Sequence, residues 1–196
     1  SYYQHYMNKN YAKIKYLILI LNCSVIPLLI TGPFLSDFSA SLSSVLFLYI
    51  CAKEKKWNYF NNSFFKLFFI FYLYYLCRSL VADDLLTVFT KHIFYIRHGI
   101  FVISTIWLLK NFNNYKLYFM YVAMVAFLIL GTDLIVQFLT GTNLVGMKSI
   151  YHGRLSGLFG DEYVLGSYIT RLSPLILGLM FFYFKDKKNL MVFTFC

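Results

Sequence analysis

The stretch "LYFMYVAMVAFLILGTDLIVQFL" (residues 117–139) holds a single charged residue, Asp133, among its 23 positions. A helix needs about 20 consecutive apolar residues to cross the hydrocarbon core of a bilayer. Similar runs recur along the 196-residue chain, in which 60% of the residues are hydrophobic and 13% are charged. A soluble domain of this size has too little interior for so much apolar surface. The sequence therefore predicts an all-α fold, a polytopic bundle of transmembrane helices.

We predict about six spans, the start of a seventh near Leu190, and a single transmembrane domain over residues 1–196. The six spans are Tyr16–Leu35, Phe38–Ala52, Phe64–Ala82, Ile93–Leu109, Leu117–Leu139 and Val164–Phe184. Two prolines, Pro27 and Pro33, should kink or end the first span. The chain starts with Ser and stops inside the apolar run "NLMVFTFC" (189–196). We therefore expect it to be the N-terminal part of a longer protein.

The net charge of +10 comes from lysines that cluster between the spans. This pattern is typical of the positive-inside rule and does not indicate nucleic-acid binding. Alternate connections hold 12 of the 18 basic residues, namely Lys9, Lys13, Lys15, the lysines of "KEKK" (53–56), Lys66, Lys110, Lys116 and the lysines of "KDKK" (185–188). The intervening connections hold five acidic residues, Asp37, Asp83, Asp84, Asp161 and Glu162. The charges predict a cytoplasmic N-terminus and external loops at 83–92 and 140–163.

All four arginines, Arg78, Arg97, Arg154 and Arg171, fall toward the predicted external side. Positive-inside topology does not explain them, because it requires cations on the other side. A guanidinium group presents a planar fork of donors that fits two phosphate oxygens at once. The four arginines together favour an anion site. The alternative is that single arginines reach lipid headgroups or pair with Asp83, Asp84 or Asp133.

The loop 140–163 differs from its apolar surroundings. Gly153, Gly157 and Gly160 allow the backbone to approach a ligand closely, and Asp161 or Ser167 is placed to cap the next helix. A helix N-terminus beside an arginine is a receptive place for phosphate or diphosphate. The alternative is a solvated loop in which the glycines only form turns.

Three more polar residues are candidates for structural or chemical roles. Asp133 and Gln137 are four residues apart and share one helix face, where they either form an interhelical hydrogen-bonded pair or orient an arginine. His152 is a candidate general base, with an incidental loop histidine as the alternative. The cysteines and the other histidines show no metal-binding spacing, so we expect neither a metal nor another cofactor.

Two neighbouring runs, "DLIVQFLTGTNLVG" (133–146) and "GRLSGLFGDEYVLGSYITRL" (153–172), together resemble the O-antigen ligase and O-antigen polymerase family. The run "FYIRHGIFVIS" (94–104) is similar to an earlier stretch of the same family. The resemblance covers residues 80–174. Its specific part is an order of three motifs: Asp-x3-Gln, then Gly-x-Asn, then Arg-Leu-Ser-Gly-x-Phe-Gly-Asp-Glu.

The resemblance implies a GT-C-like glycosyltransferase in the bacterial inner membrane, acting on the periplasmic face. It implies transfer of a glycan from undecaprenyl diphosphate to lipid A core or to a growing polysaccharide, with no nucleotide sugar and no metal. Arg154 matches the arginine of the family in this loop, and a histidine and another arginine are expected in a later external loop beyond residue 196. A transporter or flippase of lipid-linked glycans is the alternative, since it would also need external arginines.

Overall fold

The computed structural model describes residues 2–81, 84–148, 155–160 and 164–184. These residues form seven α-helices: α1 (Tyr2–Ile30), α2 (Pro33–Glu54), α3 (Ser63–Ser79), α4 (Leu85–Phe94), α5 (Ile96–Asn111), α6 (Tyr115–Thr140) and α7 (Leu165–Phe184). Short 3-10 turns occur at Trp57–Phe60 and Gly157–Phe159. Within the described ranges the only β-type pairing is an isolated antiparallel bridge between Thr142 and Lys148. The predicted all-α class is confirmed.

Five helical segments are long and apolar enough to cross a membrane. They are Tyr11–Ile30, Pro33–Glu54, Leu85–Asn111, Tyr115–Thr140 and Leu165–Tyr183. The chain is thus a polytopic membrane protein by the length and composition of its helices. The predicted third span corresponds to α3, which has 17 residues and is about 26 Å long, somewhat less than the roughly 30 Å of a hydrocarbon core. The predicted seventh span lies outside the described residues.

The predicted end of the first span at Leu35 is wrong. Helix α1 ends at Ile30, and the chain turns at Gly32, whose φ of +122° is disfavoured for any residue with a side chain. Pro33 then begins α2, a position where its missing N–H costs no helical hydrogen bond. The second span consequently starts five residues earlier than Phe38, and Pro27 remains inside α1.

The prediction that residues 83–92 form a loop is also wrong, because most of them are helical. Helix α4 begins at Leu85, where the Asp84 carboxylate caps it by accepting a hydrogen bond from the N–H of Thr87 (3.4 Å). Helices α4 and α5 meet at Tyr95 and together make one 27-residue segment. Arg97 therefore lies near the middle of this segment, not at its start.

Contacts between residues group the chain into two compact units. Unit 1 comprises Ser1–Asn22 and Asp37–Asn113, and unit 2 comprises Cys23–Ser36 and Asn114–Cys196. The boundaries fall inside α1, inside the first turn of α2 and just before α6. Each unit therefore contains parts of helices that are separated along the sequence.

Serines connect the helices of unit 1. Ser39 Oγ donates to the carbonyl of Leu21 (2.8 Å), and Ser44 Oγ donates to the carbonyl of Arg97 (3.1 Å). A third serine, Ser43, lies 3.4 Å from Ser104 between the two hydroxyl oxygens. Small side chains allow close helix approach, and their hydroxyls hydrogen-bond across the interface. The serines that make α2 look poorly hydrophobic in the sequence are thus its packing residues.

Lys15 in the middle of α1 lies at the same end of unit 1 as the ends of α2 and α5, which carry Lys53 and Lys110. Lys15 Nζ is 2.9 Å from Glu54 Oε1, which joins α1 to the end of α2, and Lys56 Nζ is 3.0 Å from Glu54 Oε2. The rings of Tyr16 and Phe112 are 5.6 Å apart, which brings the end of α5 to the same place. Three of the lysine-bearing segments that the sequence assigns to one side, at Lys15, at "KEKK" (53–56) and at Lys110, therefore lie close together in this unit.

Unit 2 packs α6, α7 and the last two turns of α1 around a common core. Its buried residues include Ile26, Ala126, Leu130 and Tyr168. The Tyr168 hydroxyl donates a buried hydrogen bond to the Ile26 carbonyl (2.9 Å), and its ring stacks on Phe127 at 5.8 Å. This bond satisfies a polar group that would otherwise be stranded in an apolar interface.

The packing of α3 against α5 can be tested by a substitution at Gly99 of α5. A Cβ at position 99 would overlap the ring of Phe68. We expect Gly99→Ala to lower the free energy of unfolding by about 1–3 kcal/mol, because the ring must leave its place. Detergent-induced unfolding measures this.

The matched control is Gly131→Ala in α6, where nothing lies within 4 Å of the new Cβ. It should be neutral or stabilising by about 0.5–1 kcal/mol. The penalty at Gly99 should vanish in a Phe68→Ala background. Equal effects of Gly99→Ala and Gly131→Ala would show that the contact with Phe68 is unimportant.

Candidate functional site

Gln137, near the end of α6, holds the second half of the loop between α6 and α7. Its side chain is buried, and Oε1 accepts hydrogen bonds from the N–H groups of Ser156 (3.1 Å) and Gly157 (2.8 Å). Nε2 donates to Ser156 Oγ at 3.3 Å. A buried N–H without an acceptor costs roughly 1–3 kcal/mol. One amide side chain therefore satisfies two loop N–H groups and fixes their position.

Asp133, one helical turn before Gln137, holds the first half of the same loop. It is 0% exposed, and Oδ1 accepts a hydrogen bond from the N–H of Leu144 at 2.7 Å. The other oxygen, Oδ2, has no hydrogen-bond partner among the described residues. Sequence reasoning correctly placed Asp133 and Gln137 on one face. The structure pairs them with loop backbone, and within the described ranges neither forms a hydrogen bond or ion pair with an arginine.

Asn143 completes the network and was missed as a site residue. It is 3% exposed, and Nδ2 donates to the carbonyl of Gly157 at 2.8 Å. Its Oδ1 accepts from the N–H groups of Val145 (3.1 Å) and Met147 (2.7 Å), which closes a turn. Asn favours such turns because its side chain bonds backbone a few residues on. The available signal was an Asn in the "TGTNLVG" run (140–146), where it looked like one turn former among several.

The two candidate glycines that the structure describes serve the loop itself. Gly157 has φ +59°, and a Cβ there would lie 3.2 Å from Asp133 Oδ2. Gly160 has φ +63°, and a Cβ there would lie 3.5 Å from Met147 Sδ. The close approach predicted for Gly157 is therefore an approach to the buried carboxylate of Asp133. The third glycine, Gly153, lies outside the described residues.

A cavity of about 320 Å³ lies beside this loop within unit 2. Its walls are mostly apolar, and the lining residues are Leu29, Pro33, Phe159, Val164, Ser167, Tyr168, Arg171 and Leu172. Phe159 belongs to the turn that Gln137 and Asn143 hold, and its ring packs edge-on against Tyr168 at 5.3 Å. The buried network therefore positions one wall of the cavity. Its volume is at the lower end of the range for ligand pockets, about 300–1,000 Å³.

Arg171 brings the cationic group to this cavity. It is the seventh residue of α7 and is exposed, and it forms no ion pair with the residues that the structure describes. Ser167, one turn earlier, lines the same cavity. The prediction that Ser167 caps the helix is wrong, because α7 begins at Leu165 and Ser167 is its third residue. A cation with a hydroxyl on an apolar wall suits an amphiphile with an anionic head.

The other two described arginines belong to unit 1. Arg97 Nη2 lies 2.6 Å from Asp37 Oδ2. This arginine is therefore paired with an aspartate, which was the alternative to an anion site. The alternative had named Asp83, Asp84 and Asp133 as partners, and not Asp37. Arg78 lies exposed in the last turn of α3. Of the three described arginines, the structure brings only Arg171 to the cavity beside the loop.

Besides Gly153, three candidates fall outside the described residues: His152, Arg154 and Asp161. Arg154 precedes by two positions Ser156, whose backbone and hydroxyl Gln137 holds.

Comparison of the chain with protein-family models, with curated proteins and with solved structures gives no match. The likeness to O-antigen ligases and polymerases therefore rests on the order of the sequence motifs.

Replacing Gln137 with Leu tests whether this side chain holds the loop. We expect a loss of about 2–4 kcal/mol in the free energy of unfolding, because two buried N–H groups lose their acceptor. The amides of Ser156 and Gly157 should also exchange hydrogen faster, as measured by mass spectrometry or NMR.

Thr132→Ala is the control, since Thr132 is exposed on α6 and bonds only the Ile129 carbonyl of its own helix. That variant should leave both quantities close to wild type. If Gln137→Leu behaved like Thr132→Ala, the hydrogen bonds of Gln137 would not be what holds the loop.

Proposed function

We propose that this chain is part of a GT-C-like membrane glycosyltransferase that transfers a glycan from undecaprenyl diphosphate. The acceptor is lipid A core or a growing polysaccharide, and the reaction takes place on the periplasmic face of a bacterial inner membrane. The observation that carries the proposal is the buried network itself. Its side chains Asp133, Gln137 and Asn143, with Ser156 and Gly157, are positions of the ordered motifs on which the resemblance rests.

This coincidence matters because the motifs are far apart in the sequence. Gln137 and Gly157 are 20 residues apart, and Asn143 and Gly157 are 14 apart. A chance resemblance in an apolar chain gives no reason for these particular polar residues to bond one another. The network supports the interpretation that the motif residues serve one structure, a loop held in a defined place.

The chemistry of the proposed reaction calls for fixed cations beside that loop. Breaking the bond between a sugar and a lipid diphosphate develops negative charge on the departing phosphate. Preorganised guanidinium groups stabilise this charge without rearranging during the reaction. We propose Arg154 as the principal residue and Arg171 as a second contact, since Arg171 lines a mostly apolar cavity that suits the junction of phosphate and lipid chain.

The roles of Arg78 and Arg97 in the proposal are weaker. Arg97 already has Asp37 as its partner, so its charge is partly neutralised. The acceptor hydroxyl also needs a base or an orienting group. His152 remains a candidate for that role.

The test uses the complete gene that encodes this chain, expressed in a strain that lacks its own O-antigen ligase. We expect the wild-type gene to restore capped or laddered lipopolysaccharide on a gel. Arg154→Ala should abolish it, and Arg154→Lys should be nearly as defective because a point charge does not replace a planar fork. Arg171→Ala should reduce the product.

Protein levels in the membrane and a Lys66→Gln variant serve as controls, since Lys66 lies on α3 of unit 1. If the wild-type gene fails, the assay is repeated in a polymerase-deficient strain. Failure in both, with the protein present and native donor and acceptor supplied, would contradict glycosyl transfer and favour transport of lipid-linked glycans. Full activity of Arg154→Lys would contradict the role given to the guanidinium fork.

A further inference from the structure

We propose that residues 53–57, at the end of α2 and in the turn after it, bind the phosphate headgroups of anionic phospholipids. The segment reads "KEKKW" and lies at the lysine-bearing end of unit 1. None of these residues belongs to the loop between α6 and α7 or lines the cavity of the proposed transferase.

The first argument is uncompensated charge. Glu54 is the acidic residue of this segment, and its two oxygens are occupied by Lys15 and Lys56. Lys53 and Lys55 are exposed and form no ion pair with the described residues. Lysines near an anionic membrane surface each contribute a favourable attraction that falls off within a Debye length.

The second argument is the backbone of Lys55. It has φ +52°, and it is the only described residue other than glycine with a positive φ. The N–H of Lys56 bonds the carbonyl of Cys51 at 3.1 Å, which is the closing bond of a Schellman motif with Lys55 at the left-handed position. Glycine is the favoured residue there because a Cβ is disfavoured. A lysine at this position places a cation at the tip of the turn but lowers stability, because its Cβ is disfavoured in the left-handed conformation.

The third argument is Trp57, which follows the lysines and is 51% exposed. Tryptophan is enriched where hydrocarbon meets headgroups, since its ring is apolar and its N–H needs a polar partner. A soluble phosphate would be bound by the lysines alone and gives no role to an exposed indole. Cations next to an interfacial aromatic residue fit a phospholipid, which offers phosphate and apolar chain together.

The fluorescence of Trp57 is the quantity to measure. The chain has two tryptophans, and the other, Trp107, is only 2% exposed. The whole chain is placed in vesicles of phosphatidylcholine and phosphatidylglycerol in equal parts. A trace of lipid with a headgroup-linked quencher is added, either on phosphatidylglycerol or on phosphatidylcholine. Trp107→Phe isolates the signal, and if that variant does not insert, the difference between wild type and Trp57→Phe gives the same quantity.

We expect labelled phosphatidylglycerol to quench Trp57 more strongly than labelled phosphatidylcholine. Replacing Lys53, Lys55 and Lys56 with Gln should abolish this excess, and Lys55→Gln alone should lower the local enrichment by up to about fivefold at low salt. Lys91→Gln, an exposed lysine of α4, should keep the excess. Equal quenching by the two lipids, or an unchanged excess in the triple variant, overturns the proposal.

Lys55→Gly separates this role from a structural one, because the two expected effects have opposite signs. The variant should raise the thermal midpoint in neutral detergent by about 2–4 °C, since glycine suits the left-handed backbone. It should also lower the enrichment of phosphatidylglycerol. A lower midpoint, or an enrichment equal to that of wild type, contradicts the proposal.

Discussion

A backbone N–H group that is shielded from water must find an acceptor, and the loop after α6 depends on this requirement. Loops of soluble proteins usually satisfy such groups with water, whereas this loop uses side chains of the helix that precedes it. Gln137 and Asp133 supply acceptors from one helix face, and Asn143 closes the loop on itself. Asn143 Oδ1, the carbonyl oxygen of Gly157 and the side-chain amide of Gln137 are thereby buried with hydrogen-bond partners. The wall of the cavity at Phe159 and its contact with Tyr168 follow from this arrangement.

In unit 1 the donors that need an acceptor are buried side-chain hydroxyls instead of backbone N–H groups. There the polar groups are short hydroxyls that bond helix carbonyls, such as Ser39 to Leu21 and Ser44 to Arg97. Short side chains bring helices together, while the longer amide and carboxylate of α6 reach out to a loop. The choice of polar residue in each helix thus reflects the distance to the group that it must satisfy.

The sequence predicts much of this fold because apolar length determines spans. Helix α6 runs from Tyr115 to Thr140, close to the predicted Leu117–Leu139. It predicts α2 poorly, since serines lower the apparent hydrophobicity although Ser41 and Ser44 bond carbonyls one turn back in their own helix. It misses α4 because Asp84 looked like part of an external loop and is a helix cap.

At the candidate site, spacing alone places Asp133 and Gln137 on one face, four residues apart. Their partners are not predictable from spacing, because they depend on the path of the loop and on the positive φ of Gly157. Arg97 shows the same limit: its partner, Asp37, is 60 residues away and belongs to another helix. Local patterns give the face of a helix, whereas long-range pairing requires the tertiary structure.

The sequence separation of the loop contacts has a consequence for biosynthesis. Asp133 and Leu144 are 11 residues apart, and Gln137 and Gly157 are 20 apart, so every partner precedes α7 in the chain. Closing a loop of this length takes on the order of 10–100 ns, whereas translation adds about 5–20 residues per second. The loop therefore has time to close on α6 while α7 is still being synthesised. When α7 inserts, it packs against a surface that has already formed, and Tyr168 contacts Phe159 there.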